Sequence, residues 1–290
     1  MKKLLLFGVL SFGLNAFAQV PSYVPTSGLI AWWAFNGNAN DESGNGNNGT
    51  VNGAALTVDR FGNPNSAYNF DGIDDEVLVN NNASLPINET TSLSFSFWIE
   101  TNNTSVQRVL SKRDFSGNLG VGVEILTGAD SVRFYYGDGP SNNVWGPVSD
   151  NSMVYGTYMH VVVLVDQNNN LITSYINGNL ESVSLNFSSI PGSVDNVSDL
   201  SIGGDGGGNF PFNGKIDDIG IWNRLLDECE IEELYTTQNC NVGLSHLQTS
   251  KTQLVKIVDF MGRETEYKPN TSLIFIYSDG TRERVMKIEE

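Results

Sequence analysis

The chain of 290 residues is poor in most of the groups that carry chemistry: it has two cysteines, two histidines and nine prolines. Two cysteines, with no CxxC and no histidine nearby, exclude a zinc ribbon or a redox centre of the thioredoxin kind. There is no G-x-S-x-G, HExxH or Walker loop. Of the histidines, His160 opens an apolar run and reads as a packed residue, and His246 lies in a polar linker. Positive charge is scarce: residues 19–243 hold 26 acids against 7 bases, and the whole chain carries −17. Such a surface repels phosphate backbones, so nucleic acid is excluded as a partner. Long apolar runs are missing beyond the first residues, which leaves no expected membrane span.

What is present begins with MKKLLLFGVLSFGLNAFAQ, two lysines, an apolar core and an A-x-A site at Ala16–Ala18. Residues 1–18 read as a secretory signal peptide, and the protein as exported. In that oxidising setting Cys229 and Cys240 read as one disulfide.

Between the leader and residue 240, period-2 alternation dominates. LSFSFWI (Leu93 to Ile99) sends Leu93, Phe95, Phe97 and Ile99 to one face. HVVVLVD (His160 to Asp166) is apolar on both faces and reads as a central strand. LITSYI-NG-NLESVSL predicts a hairpin about Asn177-Gly178. GGDGGG (Gly203 to Gly208) reads as a hairpin loop. One helix is predicted, with Asp227 as N-cap and Ile231, Leu234 and Tyr235 on one face. Many strands and one short helix give an all-β class, an antiparallel jelly-roll sandwich of two sheets. After residues 241–250, a linker, residues 251–290 form a small β-rich module too short to bury much core.

The blocks GLIAWWAFNGNANDESGNGNNGT, AYNFDGIDDEVLV, SFSFWI, HVVVLVD with YINGN, and FNGKIDDIGIWNRLLDECEIEELY occur here in order. Together they resemble the LamG-like jelly-roll domain of the concanavalin A-like lectin/glucanase fold, from about Gly28 to Tyr235, with Glu76 where the family more often has an aromatic. The tail, with MGRE, KPNT and YSDG in order, resembles the C-terminal sorting domain of the type IX secretion system. That second resemblance implies the secretion machinery as a partner, and a secreted or outer-surface location reached through the periplasm.

The loop FNGNANDESGNGNNGT (Phe35 to Thr50) is rich in oxygen ligands without EF-hand spacing. The LamG-like resemblance implies a structural calcium held by Asp41, carbonyls among Asn36, Asn38 and Asn40, and Asp217 of KIDDI. Alternation would put Asp217 and Asp218 on opposite faces. The alternative is an Asn/Gly turn with solvated acids. Asp71, Asp74 and Asp75 read as turn caps.

Hydrolases of this fold carry alternating acids on one strand, so that acid and nucleophile share a face; IDDI and ECEIEE lack that spacing. The expected function is therefore a non-catalytic module binding carbohydrate, with Tyr135, Tyr136 and Trp145 as the aromatic platform. Alternatives are a protein-binding adhesion module, and a polysaccharide hydrolase or lyase with an unrecognised site.

Overall fold

The computed structural model describes residues 20–238, apart from 89–90, 103–104, 115, 117, 127–129, 140–141, 151 and 191, and the tail segments 254–258, 263–265, 273–277 and 282–285. The leader, the linker and Cys240 lie outside the described residues. The chain divides into two compact units, residues 1–239 and 240–290.

The larger unit is a sandwich of two antiparallel sheets. The first runs β13 (Asn179–Leu180), β12 (Leu171–Ile176), β11 (Met159–Asp166), β6 (Leu93–Thr101), β16 (Asn213–Trp222), β4 (Ala67–Asp71), β3 (Ala55–Thr57). Two short strands branch from it, β1 (Leu29–Trp33) on β16 and β14 (Leu185–Asn186) on β12. The second runs β10 (Asn142–Pro147), β9 (Ser131–Gly139), β8 (Leu119–Leu126), β7 (Gln107–Asp114), β15 (Leu200–Ile202), β5 (Glu76–Val79), β2 (Gly49–Asn52). Alternating residues of both sheets interdigitate as one core, with Phe95 against Phe134 at 5.9 Å and Phe70 edge-on to Phe212.

The two faces of the first sheet are both buried, which explains why β11 is apolar throughout. Helix α1 (Glu228–Thr236) and the segment before β1 cover its outer face, where Trp32, Val162, Leu164 and Trp222 meet Val24, Leu226, Ile231 and Leu234. Burying Ile231 and Leu234 is worth about 1.5–3 kcal/mol each. The helix starts where expected: Asp227 accepts from Glu230 N at 2.9 Å and Glu230 reaches back to Asp227 N, a closed capping box. Cys229 lies on this helix, and no described cysteine is free.

The predicted hairpin is present. Asn177 and Gly178 both have positive φ, 49° and 76°, as a two-residue turn of the primed type requires. The GGDGGG loop differs from expectation: it carries the chain from β15 in one sheet to β16 in the other. In the tail unit β17 (Leu254–Val258), β18 (Leu273–Tyr277) and β19 (Arg282–Val285) form a three-stranded antiparallel sheet.

Candidate ligand face

The Asn/Gly loop after β1 is an ordered, self-bonded structure. Asp41 Oδ1 accepts from Trp32 N and Ser43 N, at 3.0 and 2.9 Å, and Asp41 Oδ2 accepts from Asn47 N at 2.9 Å. Asn47, 1 % exposed, donates through Nδ2 to Ile30 O and Ser84 O, while its own carbonyl takes the Trp33 indole N–H at 2.8 Å. Asn38 Oδ1 accepts from Asn40 N; Asn36 is exposed. The side-chain oxygens of Asn38, Asp41 and Asn48 take backbone N–H groups of the loop, which a segment leaving a buried strand must satisfy.

Asp217 is committed elsewhere. A register irregularity between Asp217 and Gly220, with Asp218 at φ 45°, breaks the alternation of β16. Both carboxylates thereby reach Arg60 Nη1, Asp217 at 3.1 Å and Asp218 at 2.7 Å, and Tyr23 Oη donates to Asp218. The expectation of opposite faces is corrected by this bulge. Of the expected calcium set of Asp41, Asn36, Asn38, Asn40 and Asp217, the two carboxylates are both engaged by protein groups: Arg60 is the counter-charge for Asp217, and Asp41 staples its own loop. Burial, then the charge of Asp218, pushes the Asp217 carboxyl well above its ordinary range; burial does the same to Asp218, against the pull of Arg60. Beside them His160 Nε2 meets Ser96 Oγ at 2.8 Å, and its ring stacks with Trp98 and Tyr235.

A second acidic group does converge. One carboxylate oxygen each from Asp71, Asp74 and Asp75 lies within 4.8 Å of the others. Asp75 Oδ2 accepts from Asp71 N and Asp71 Oδ1 from Ile73 N, so the turn-capping role expected for them is visible in these two. Burial, and then the negative charges of Asp71 and Asp74, raise the Asp75 carboxyl. Asp74 and Asp75 also line a cavity of about 240 Å³ with Glu76, Asp205 and the glycine loop.

The outer side of the second sheet carries a polar and aromatic layer in which Tyr135, Ser111, Ser201, Glu124 and Arg108 are buried and Trp145 is exposed. Register places Trp145, Tyr135, Gly122, Ser111 and Ser201 in one row across five strands, β10 to β15. A parallel row holds Arg133, Glu124 and Arg108. Glu124, buried, accepts from Arg108 Nε through Oε1, and from Arg133 and the Trp145 indole N–H through Oε2. Arg108 also binds Asp205 at 2.8 Å. Three guanidiniums lie on three rings: Arg113 at 3.7 Å from the Tyr135 centroid, Arg133 at 3.8 Å from Trp145, Arg108 at 4.7 Å from Phe210.

Tyr135 and Trp145 are thus brought together, edge-on at 6.3 Å. Tyr135 lies down along its strand to donate to Asn118 O at 2.7 Å; a Cβ at Gly137 would stand 2.4 Å from its hydroxyl, so glycine is needed there. Only Trp145, 45 % exposed, offers a wide surface; Tyr135 is 2 % exposed beneath Arg113. Tyr136 is a correction: one residue along the strand, it faces the core, packs on Phe187 at 4.5 Å and accepts from Gln167 Nε2. Aromatic identity alone hid the arginines. Their signal was the placement of four of the seven bases of residues 19–243 on β7 and β9.

The fold has known relatives. A laminin G family model, described as the concanavalin A-like lectin/glucanases superfamily, matches residues 70–232. Adhesion G-protein coupled receptor V1 of Danio rerio is 22 % identical over 193 residues, which span 65 % of this chain and 3 % of the receptor. Domain 4 of AbnA, an extracellular arabinanase of Geobacillus stearothermophilus solved with arabinotriose, has a TM-score of 0.51 and 18 % identity over 71 % of this chain and 98 % of that one. The binding domain of botulinum neurotoxin DC, in complex with rat synaptotagmin II, has a TM-score of 0.55 and 18 % identity over 87 % and 62 %. Trypanosoma rangeli sialidase gives 0.55 and 18 % over 74 % and 33 %. At such identities the structures share the fold.

Proposed function

The chain belongs to the concanavalin A-like lectin/glucanase superfamily, and on that premise we propose that it is a secreted, non-catalytic binding module whose ligand is carbohydrate, seated on the outer face of the second sheet. The observation that carries this reading is Trp145: one side of its indole is covered by Arg133, and the ring is still 45 % exposed. An indole held by an arginine and by its own N–H bond to Glu124 is a fixed apolar plate rimmed by donors, which suits a sugar ring. The other large face of the sandwich is closed by α1, so it offers no comparable surface. A glycan array with the folded protein and Trp145→Ala tests the reading; binding that survives the substitution unchanged removes this face from it.

A protein ligand is the second reading, supported by the adhesion receptor and the toxin–synaptotagmin pairing among the relatives. An array without hits, followed by capture of a defined protein partner that Trp145→Ala abolishes, favours it.

Calcium enters as a structural ion, at Asp71, Asp74 and Asp75. They offer only hard oxygen atoms, and their mutual repulsion is what a cation relieves. A melting temperature identical in calcium and in chelator removes the ion. Export by residues 1–18, a Cys229–Cys240 disulfide, and sorting through residues 251–290 by the type IX machinery complete the proposal. Deletion of 251–290 should then leave the protein in the periplasm.

A further inference from the structure

Residues 19–243 hold seven bases, and three of them are arginines gathered on one face. Lys112 is turned to the carbonyls of Asn196 and Ser198. The three arginines of β7 and β9 lie on the ligand face, each against a ring. Two buried carboxylates answer them, Glu124 and Asp205, and both are engaged by arginine. The next acid on this face, Glu76, lies on β5, beyond β15, where it accepts from Ser201. Around Tyr135 and Trp145 three guanidiniums therefore gather, with Glu124 and Asp205 paired to them and Asp138 as a further acid near Tyr135, in a chain whose net charge is −17.

The half-buried pair, Arg113 and Arg133, is what a ligand on Trp145 would meet. Arg133 gives Nε and Nη2 to Glu124, and its Nη1 carries no bond among the described residues. A guanidinium lying flat on a ring keeps its N–H edge in the plane of the stack. That edge matches a carboxylate in fork geometry, and the cation is partly stripped of water before the ligand arrives. A neutral sugar would leave this positive edge half-desolvated and unanswered.

We propose that the glycan taken by this face is acidic: a uronate unit stacks on Trp145 and places its carboxylate on Arg133, with Arg113 as the second cation. This rests on the carbohydrate reading above. Salt titration is a poor probe, because salt also screens the repulsion between a polyanion and the acidic body. The cleaner comparison is a polymer with and without its charge.

The full protein is titrated calorimetrically with polygalacturonate, alginate and hyaluronate, each also as its methyl ester, and with neutral arabinan and laminarin and with dextran sulfate. The expected result is binding of at least one uronate polymer, about tenfold weaker as its ester. Arg133→Gln should lower binding of the acid form to the level of the ester, and Arg133→Lys, which keeps the charge at Glu124 but not the fork, should fall between. Equal binding of acid and ester, or binding of neutral polymers alone, overturns the acidic assignment and leaves the carbohydrate reading standing. Dextran sulfate bound as tightly as any uronate overturns the carboxylate assignment in favour of a general polyanion surface. No binding to any polymer, by protein with an unaltered melt, overturns both.

Discussion

Asp218 meets Arg60 at 2.7 Å although it directly follows Asp217, which meets the same nitrogen. Two neighbouring residues of one strand share a cation only because the strand is bulged there. Arg60 is nearly buried, flat against Trp98 and Phe61 at 4.4 Å each. Arg60→Met should leave two adjacent buried carboxylates unpaired and cost about 3–5 kcal/mol. Adding Asp217→Asn and Asp218→Asn to that variant should recover most of the loss. Urea melts of the single and the triple variant check both statements.

The same cluster sets limits on pH. Burial, and then the charge of Arg60, hold His160 down to about 3 from an ordinary 6.5. Its folded value lies below its unfolded one, so its contribution to stability is present above 6.5 and is lost as pH falls toward 3. Asp217 is shifted the other way, upward from 3.8, by burial and then by the charge of Asp218 beside it. Its contribution is complete below 3.8 and is lost as pH rises through its raised folded value. Subtracting the melting profile of His160→Asn from that of the wild type should reveal an acid limb, and subtracting that of Asp217→Asn an alkaline one.

Surface and core aromatics should separate cleanly. Trp145→Ala is expected to abolish ligand binding and change stability by less than about 1 kcal/mol. Tyr136→Ala should cost about 3–5 kcal/mol, since its ring is in the core. Denaturant melts beside binding isotherms distinguish them.

Asp41→Ala removes the acceptor of three backbone N–H groups. A loss of about 1–3 kcal/mol is expected, the same in calcium and in chelator. A loss that appears only in calcium would return Asp41 to the role of an ion ligand.

Much of the sandwich was legible because alternation and turn chemistry are local. LSFSFWI sorts its own faces, Asn177-Gly178 makes its own turn, and Asp227 caps its own helix. The site was half legible for the same reason. Tyr135 and Trp145 were named, but no local rule says that Tyr136 must point inward while its neighbour points out. That depends on which face of β9 the core takes. Arg60 was invisible, since its partners lie 157 and 158 positions away. Composition does not separate Asp41 and its asparagines as ion ligands from the same residues as acceptors of backbone N–H groups, because both uses call for the same oxygens.

The segment before β1 and the helix after β16 share one small apolar cluster, stitched by the Trp222 indole to Pro25 O and by Arg224 to Ser27 O. The two ends of the sandwich therefore leave from the side away from Trp145. A fold tied off in this way closes on itself at its two ends, as a unit set within a longer chain must. In the receptor above, the matched stretch is 3 % of the polypeptide.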